Sequence, residues 1–223
     1  WFFEIFMTPV CWTGLILFID ALNFRIAGHS LIKNRRREFL WMLPWSILLW
    51  YFFEFYNLFI QNWHYEKLPD TVWIRYAGYF WSFATIWPGI LEIFELIKNL
   101  KIFNTVRVKP IQLTNRILVV SFLAGFLCML LPFFVSPVTA TYLAAPVWIG
   151  MVFMLDPLNF RWGQFSLWKE WSRGNLSTLL QLFLAGFIAG GLWEFWNYWA
   201  TAKWIYTVPI LGNVKIFEMP VLG

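Results

Sequence analysis

Charge is scarce in this sequence: Asp, Glu, Lys and Arg make up 13% of its 223 residues, about half the ~25% usual in a soluble domain. The scarcity is uneven, because no charged residue lies between Arg116 and Asp156. A bilayer span needs only about 20 apolar residues, so that stretch is long enough to cross twice, folding back at Ser136-Pro137-Val138-Thr139. Histidine and cysteine occur twice each, as His29, His64, Cys11 and Cys128. The histidines fall in loops on opposite sides of the apolar runs, which excludes a haem held by both inside a bilayer, and no His/Cys cluster has metal-ligand spacing. The cysteines lie within apolar runs, where a lone cysteine behaves as a small hydrophobe, and this argues against a structural disulfide. A Walker-type loop, a dinucleotide fingerprint and a Gly-x-Ser-x-Gly elbow are missing. Basic residues are missing from the apolar runs, which excludes a voltage sensor. The sequence implies no metal and no cofactor.

What is abundant is apolar: hydrophobic residues reach 60%, with 25 Phe and 17 Trp. Apolar runs occupy about 5–22, 40–61, 77–97, 117–135, 140–158 and 177–200, and nearly all the charge sits between them. The expected fold is therefore all-α, a polytopic transmembrane helix bundle with six complete spans. A seventh is expected to begin near Pro220. No basic segment precedes the first run and no small-residue cleavage site follows it, so it reads as a retained span rather than a signal peptide.

Lys and Arg in short loops are held on the cytoplasmic side. Thirteen of the 17 basic residues follow the first, third and fifth runs, among them Arg25, Lys33, Arg35, Arg36 and Arg37 after the first, while Lys67, Arg75, Lys203 and Lys215 alone lie on the other side. The start of the chain is thus expected outside and the basic loops in the cytoplasm. Orientation and attraction to anionic headgroups account for the net charge of +5 without a nucleic-acid partner.

The sequence repeats itself. DALNFRIAGHSLIK at 20–33 returns as DPLNFRWGQFSLWK at 156–169, and at a constant offset of 136 ten of the 22 positions from Trp12 to Lys33 are identical. After a four-residue slip the match resumes, with Glu54, Phe55, Asn57 and Pro69 facing Glu194, Phe195, Asn197 and Pro209. This is an internal duplication. It divides the chain into a first membrane repeat at 1–135 and a second, apparently truncated one at 136–223. Four spans separate equivalent points and an even number returns the chain to the same side, so the repeats have parallel topology about an axis along the membrane normal. By extrapolation the seventh span matches the third, and a full-length protein of eight spans is expected.

Asp20 and Asp156 end their spans, and Pro157 follows the second, which suits an N-cap and first position of a short interfacial helix. Arg25 and Arg161 would then lie at phosphate depth, as snorkelling corner residues or as a lipid-phosphate site. Glu54 and Glu194 fall in the outer part of the bilayer, where a carboxylate is costly unless paired or watered. Each has an amide three residues on, Asn57 or Asn197, on the same helical face. Aromatic residues surround them, including Phe53 and Tyr56 in one copy and Trp193 and Trp196 in the other. Such a pair of acids could serve an aromatic box for a cationic headgroup or protonate an alkene, or could simply end its spans in the outer aromatic belt. Pro88-Gly89 marks a kink or hinge above Glu92 and Glu95. Between Lys203 and Lys215 an outer loop or lid is expected, with a small hairpin of its own β-branched residues. Ala185, Gly186, Ala189, Gly190 and Gly191 give the sixth span a small-residue face, suited to close helix packing or to a groove for a lipid or pigment tail.

The run Trp193-Glu194-Phe195-Trp196-Asn197, then Lys203 to Pro209, then Phe217-Glu218-Met219-Pro220, resembles uncharacterised bacterial polytopic membrane proteins. In layout it is similar to the duplicated helical lycopene-cyclase domain, in which an aromatic-rich span, an outer loop and a Pro-x-Glu-Glu helix start recur. This chain departs from that pattern in having one acid, Glu218, with the proline after it. The resemblance implies a bacterial inner membrane and adds Glu218 to Glu54 and Glu194 as candidate catalytic acids. Two functions stay open. One is a non-catalytic helical subunit or accessory component packing against other membrane subunits, lipids or pigments. The other is an enzyme or carrier for a lipidic, isoprenoid-like molecule using these carboxylates, which requires them to converge on a closed cavity.

Overall fold

The computed structural model describes residues 2–221. Helices dominate it: α1 (Phe2–Ala27), α2 (Leu31–Asn34), α3 (Arg36–Ile60), α4 (Val72–Asn99), α5 (Asn115–Leu130, prolonged by a 3-10 turn to Phe133), α6 (Pro137–Ala140), α7 (Ala144–Arg161), α8 (Leu167–Ser172) and α9 (Ser177–Trp199). Four short strands complete it, β1 (Trp63–Glu66), β2 (Lys203–Tyr206), β3 (Lys215–Ile216) and β4 (Met219–Pro220). Five helices, α1, α3, α4, α5 with its turn, and α9, are long and apolar enough to cross a membrane. The run expected at 140–158 is shared out: Ser136 caps the single turn α6 through the Thr139 N–H, and only the 18 residues of α7 form a long helix.

Packing follows small residues and aromatic rings. α5 and α7 meet at Gly125 and Gly150, where a Cβ on Gly125 would stand 2.5 Å from the Gly150 carbonyl oxygen. Beside it the Ser121 hydroxyl donates to the Phe153 carbonyl at 3.0 Å, so this is the tight crossing that small residues permit. Trp12, wholly buried, lies in a core with Ile19, Ile93, Ile97, Ala185 and Ala189. A second core joins Phe53, Tyr56, Met129 and Val147.

Pro88-Gly89 does not interrupt α4. A Cβ on Gly89 would stand 2.5 Å from the Trp12 ring, so the glycine seats that indole. Around the proline the Ser46 hydroxyl of α3 accepts from the Trp87 N–H at 3.0 Å and donates to the Phe83 carbonyl at 2.5 Å. A neighbouring side chain thus bridges a backbone amide and carbonyl of the turn just before the proline.

The two Asp corners differ from expectation in one respect. α1 and α7 run on past Asp20 and Asp156 to Ala27 and Arg161, so neither aspartate starts a helix there. Each instead caps the next short helix. Asp20 accepts from the Ser30 hydroxyl (2.9 Å) and the Ile32 N–H (2.8 Å) at the head of α2. Asp156 accepts from the Ser166 hydroxyl (2.7 Å) and the Leu167 and Trp168 N–H groups (2.8 and 2.9 Å) at the head of α8. The carboxylate meets N–H groups that a helix start leaves orphaned, with the favourable end of the helix dipole toward it.

Loops gather by side. The turn after α4 meets the turn after α8 through Val108 N–H to Gly174 carbonyl (3.0 Å) and Leu176 N–H to Val106 carbonyl (3.2 Å), and Arg35 of the α2–α3 junction pairs with Glu95 at 3.2 Å. At the other end β1 pairs antiparallel with β2, and Asn62 donates to the Thr141 carbonyl at 2.9 Å. The strand from Lys203 therefore pairs with the loop after α3, not within its own loop. Residues 215–220, leading up to the point where a seventh span is expected to begin, form the hairpin β3–β4, and residues 222–223 lie outside the described residues.

Candidate functional site

The β1–β2 ribbon organises the site. Its register pairs Trp63 with Tyr206, His64 with Ile205 and Tyr65 with Trp204. In each strand a Trp-x-Tyr faces the other's Tyr-x-Trp, so exchanging the strands maps the ribbon onto itself. That is the relation given by a two-fold axis perpendicular to an antiparallel pair.

Each strand is tied to the preceding helix in the same way. From α3, the Asn57 amide donates to the Trp63 carbonyl (2.8 Å), and its oxygen accepts from the N–H groups of Asn62 (2.9 Å) and Trp63 (3.3 Å). From α9, the fully buried Asn197 donates to the Trp204 carbonyl (2.9 Å) and accepts from the Trp204 N–H (3.0 Å). Each amide acts for one residue as a neighbouring strand would, so both are spent on backbone.

The carboxylates one turn earlier hold the rings of the same strands. Glu54 Oε1 accepts from Tyr65 Oη (2.5 Å), Trp63 Nε1 (3.0 Å) and Trp50 Nε1 (3.1 Å). Glu194 Oε1 accepts from Tyr206 Oη (2.9 Å) and Trp204 Nε1 (3.4 Å), while its Oε2 is buried without a partner. Glu194 is 3% exposed. Burial first, and the adjoining carboxylate second, push the Tyr65 and Tyr206 hydroxyls well above their ordinary pKa, so both remain protonated donors.

Beneath the ribbon lies a cavity of about 700 Å³, bounded by α1, α4, α7 and α9. Its walls include Trp50, Trp63, Tyr65, Trp193, Trp204 and Tyr206. Glu54 and Glu194 do not line it. They take the indole N–H groups of Trp50, Trp63 and Trp204 and the phenol O–H groups of Tyr65 and Tyr206, so these polar ends of the cage are already satisfied. Gly186 and Gly190 of α9 face open space and line the cavity. The small-residue face of α9 is thus divided: Ala185 and Ala189 pack in the Trp12 core, while Gly186 and Gly190 leave a groove.

The other candidate residues disperse. Trp193 is a wall of the cavity, with its ring centroid 5.0 Å from Trp204, 5.5 Å from Trp12 and 5.6 Å from Trp50. Trp196 packs edge-on against Trp12 at 5.0 Å in the core. Glu218 forms a 2.7 Å ion pair with Lys203 at the ribbon's edge. Arg25 and Arg161 are exposed at the far end of the bundle and take no part in the site.

Sequence reasoning missed the donors Trp63, Tyr65, Trp204 and Tyr206. A signal was present: Trp-x-Tyr follows Glu-x-x-Asn in both halves, nine residues after Glu54 and ten after Glu194. The single-residue difference hides it from a comparison at fixed offset. It also missed a buried cluster at the opposite end. There Asn23 donates to Glu92 Oε2 (3.0 Å) and accepts from Asn99 (2.9 Å), and Glu92 is wholly buried. Among the described residues no group of three or more His, Cys, Asp or Glu could hold a metal ion. Comparison with known proteins gave no match to this chain, from family models, from curated proteins or from solved structures.

Proposed function

We propose that this chain is a six-span membrane protein built from two copies of one unit, 1–135 and 136–223, and that it holds an apolar lipidic molecule, an isoprenoid or pigment tail, between them as a non-catalytic membrane component. One observation carries the reading: a cavity beneath the ribbon, five of whose aromatic wall residues give their polar ends to Glu54 and Glu194, neither of which lines it. A surface so prepared is apolar toward its contents, and about 700 Å³ falls within the ~300–1,000 Å³ of small-molecule sites. The self-matching register and the paired Asp corners support the duplication. α7, at about 1.5 Å per residue, reaches about 27 Å and comes close to the ~30 Å of a hydrocarbon core, which supports counting it as the sixth span. Loop clustering supports an orientation with the basic end in the cytoplasm and the ribbon outside. The catalytic alternative asks the same carboxylates to face a substrate, and neither Glu54 nor Glu194 lines the cavity.

The test is extraction. Protein purified from membranes in mild detergent is expected to carry an apolar molecule detectable by mass spectrometry, and Gly190→Leu, which fills the groove, is expected to lose it while keeping its helix content. Equal ligand in both proteins would overturn the reading. So would a chemically altered product found only when Glu54 and Glu194 are intact.

A further inference from the structure

The cavity has a polar end. From Arg75 to Ile90, both of which line it, α4 advances about 22 Å at 1.5 Å per residue. The cavity's inner part is bounded by Ile86, Ile90, Gly186 and Ala189. At the outer part stands Arg75, half-buried, with its Nε held on the Pro69 carbonyl at 3.0 Å. Its terminal Nη groups have no hydrogen bond and no ion pair among the described residues. Lys203, the other basic wall residue, is already paired with Glu218, and neither Glu54 nor Glu194 lines the cavity. A guanidinium held by its Nε with its terminal groups free suits an oxyanion.

We infer that the cavity takes a lipid with an anionic oxyacid head, its apolar part lying along α4 and α9 and its head held at the outer end by Arg75. This rests on the cavity being a binding site, as proposed above, and adds which end of the ligand is charged. Phosphate and carboxylate heads share the chemistry.

Protein in nanodiscs of neutral phosphatidylcholine is titrated with farnesyl phosphate, farnesol, myristate, myristyl alcohol or inorganic phosphate, and binding is read from the emission of the cavity tryptophans. At least one acid is expected to bind about tenfold or more tighter than its own alcohol, the scale of one charge-assisted contact. Whether the phosphate, the carboxylate or both show the preference identifies the head. Inorganic phosphate alone is expected not to compete. Arg75→Gln is expected to abolish the preference while leaving the affinity for the alcohols, and Arg75→Lys to retain part of it. If both alcohols bind as tightly as their acids in the unaltered protein, or if free phosphate competes at equal concentration, the head assignment is overturned. That comparison needs no variant to fold. Failure of the underlying reading looks different, since Gly190→Leu would then leave the binding of every probe unchanged.

Discussion

Glu54 and Glu194, as anchors of the ribbon, should couple energetically to the tyrosines they hold, and by unequal amounts. The perturbations are Tyr65→Phe and Tyr206→Phe, each combined with Glu→Gln at its partner. A hydrogen bond to a charged group contributes about 1.5–3 kcal/mol, while measured couplings between membrane helices average about 0.6 and reach about 1.7 kcal/mol. What remains after truncation decides the size. Without Tyr65, Glu54 Oε1 keeps Trp63 at 3.0 Å and Trp50 at 3.1 Å, so the loss should be about 1 kcal/mol. Without Tyr206, Glu194 keeps only Trp204 at 3.4 Å, and its other oxygen is already unpartnered. The loss there should approach 2 kcal/mol. The shorter Tyr65 contact, 2.5 Å against 2.9 Å, argues for the reverse order, but redundancy outweighs it because an orphaned buried carboxylate costs more than one weakened bond. Unfolding in mixed micelles, followed by near-UV circular dichroism, measures all variants and both double mutants. Tyr65→Phe costing as much as Tyr206→Phe would refute the ranking. Coupling below about 0.5 kcal/mol in both pairs, the level of independent sites, would refute the anchoring itself.

At the α5–α7 crossing, Gly125→Leu should separate the helices, because the atoms its Cβ meets at 2.5–2.8 Å are backbone and cannot rotate away. A destabilisation of about 1–3 kcal/mol is expected, read from the same micelle titration, and Gly14→Leu, where a Cβ meets nothing within 4 Å, is the control. The tyrosines also set a pH response. Their folded pKa lies above the unfolded value of about 10, so the stability they confer is fully present below pH ~10 and is lost as pH rises through that value toward the folded one. The melting temperature should therefore fall above pH ~10, and the double variant Tyr65→Phe/Tyr206→Phe should show a shallower fall; an unchanged alkaline slope would count against buried, carboxylate-held phenols.

Much of the architecture was legible because it follows from composition. Long apolar runs in water-poor surroundings have no alternative to helix, and the charge-free stretch around Ser136 could only fold back. Repeated identities such as Asn23-Phe24-Arg25 were legible, yet the use of those residues was not. Asp20 looked like the start of a helix because Asp before Pro157 in the other copy matches a cap. The helix it caps begins eleven residues later, at Leu31, a distance no local signature spans. Glu92 and Glu95 share a face by spacing, but spacing does not say which one points inward; Glu92 is buried against Asn23 while Glu95 meets Arg35 and Lys98.

The ribbon was the least legible element, and the site depends on it. Its strands are four residues each, carry His64, Lys203 and Glu66 among their aromatics, and pair across some 140 positions, so neither length nor alternation announces them. Their stability comes from elsewhere: two amides supply ladder bonds and two carboxylates fix four rings. Once those ties exist, the polar atoms of the rings are committed to the two carboxylates and only their faces remain for the interior. The same acids that looked like reactive groups in an aromatic box are thereby what makes the box apolar. Gly186 and Gly190, read as suited to close packing or to a lipid groove, stay uncovered within it, and Arg75, counted in the sequence only among the few basic residues of the outer side, lines it too.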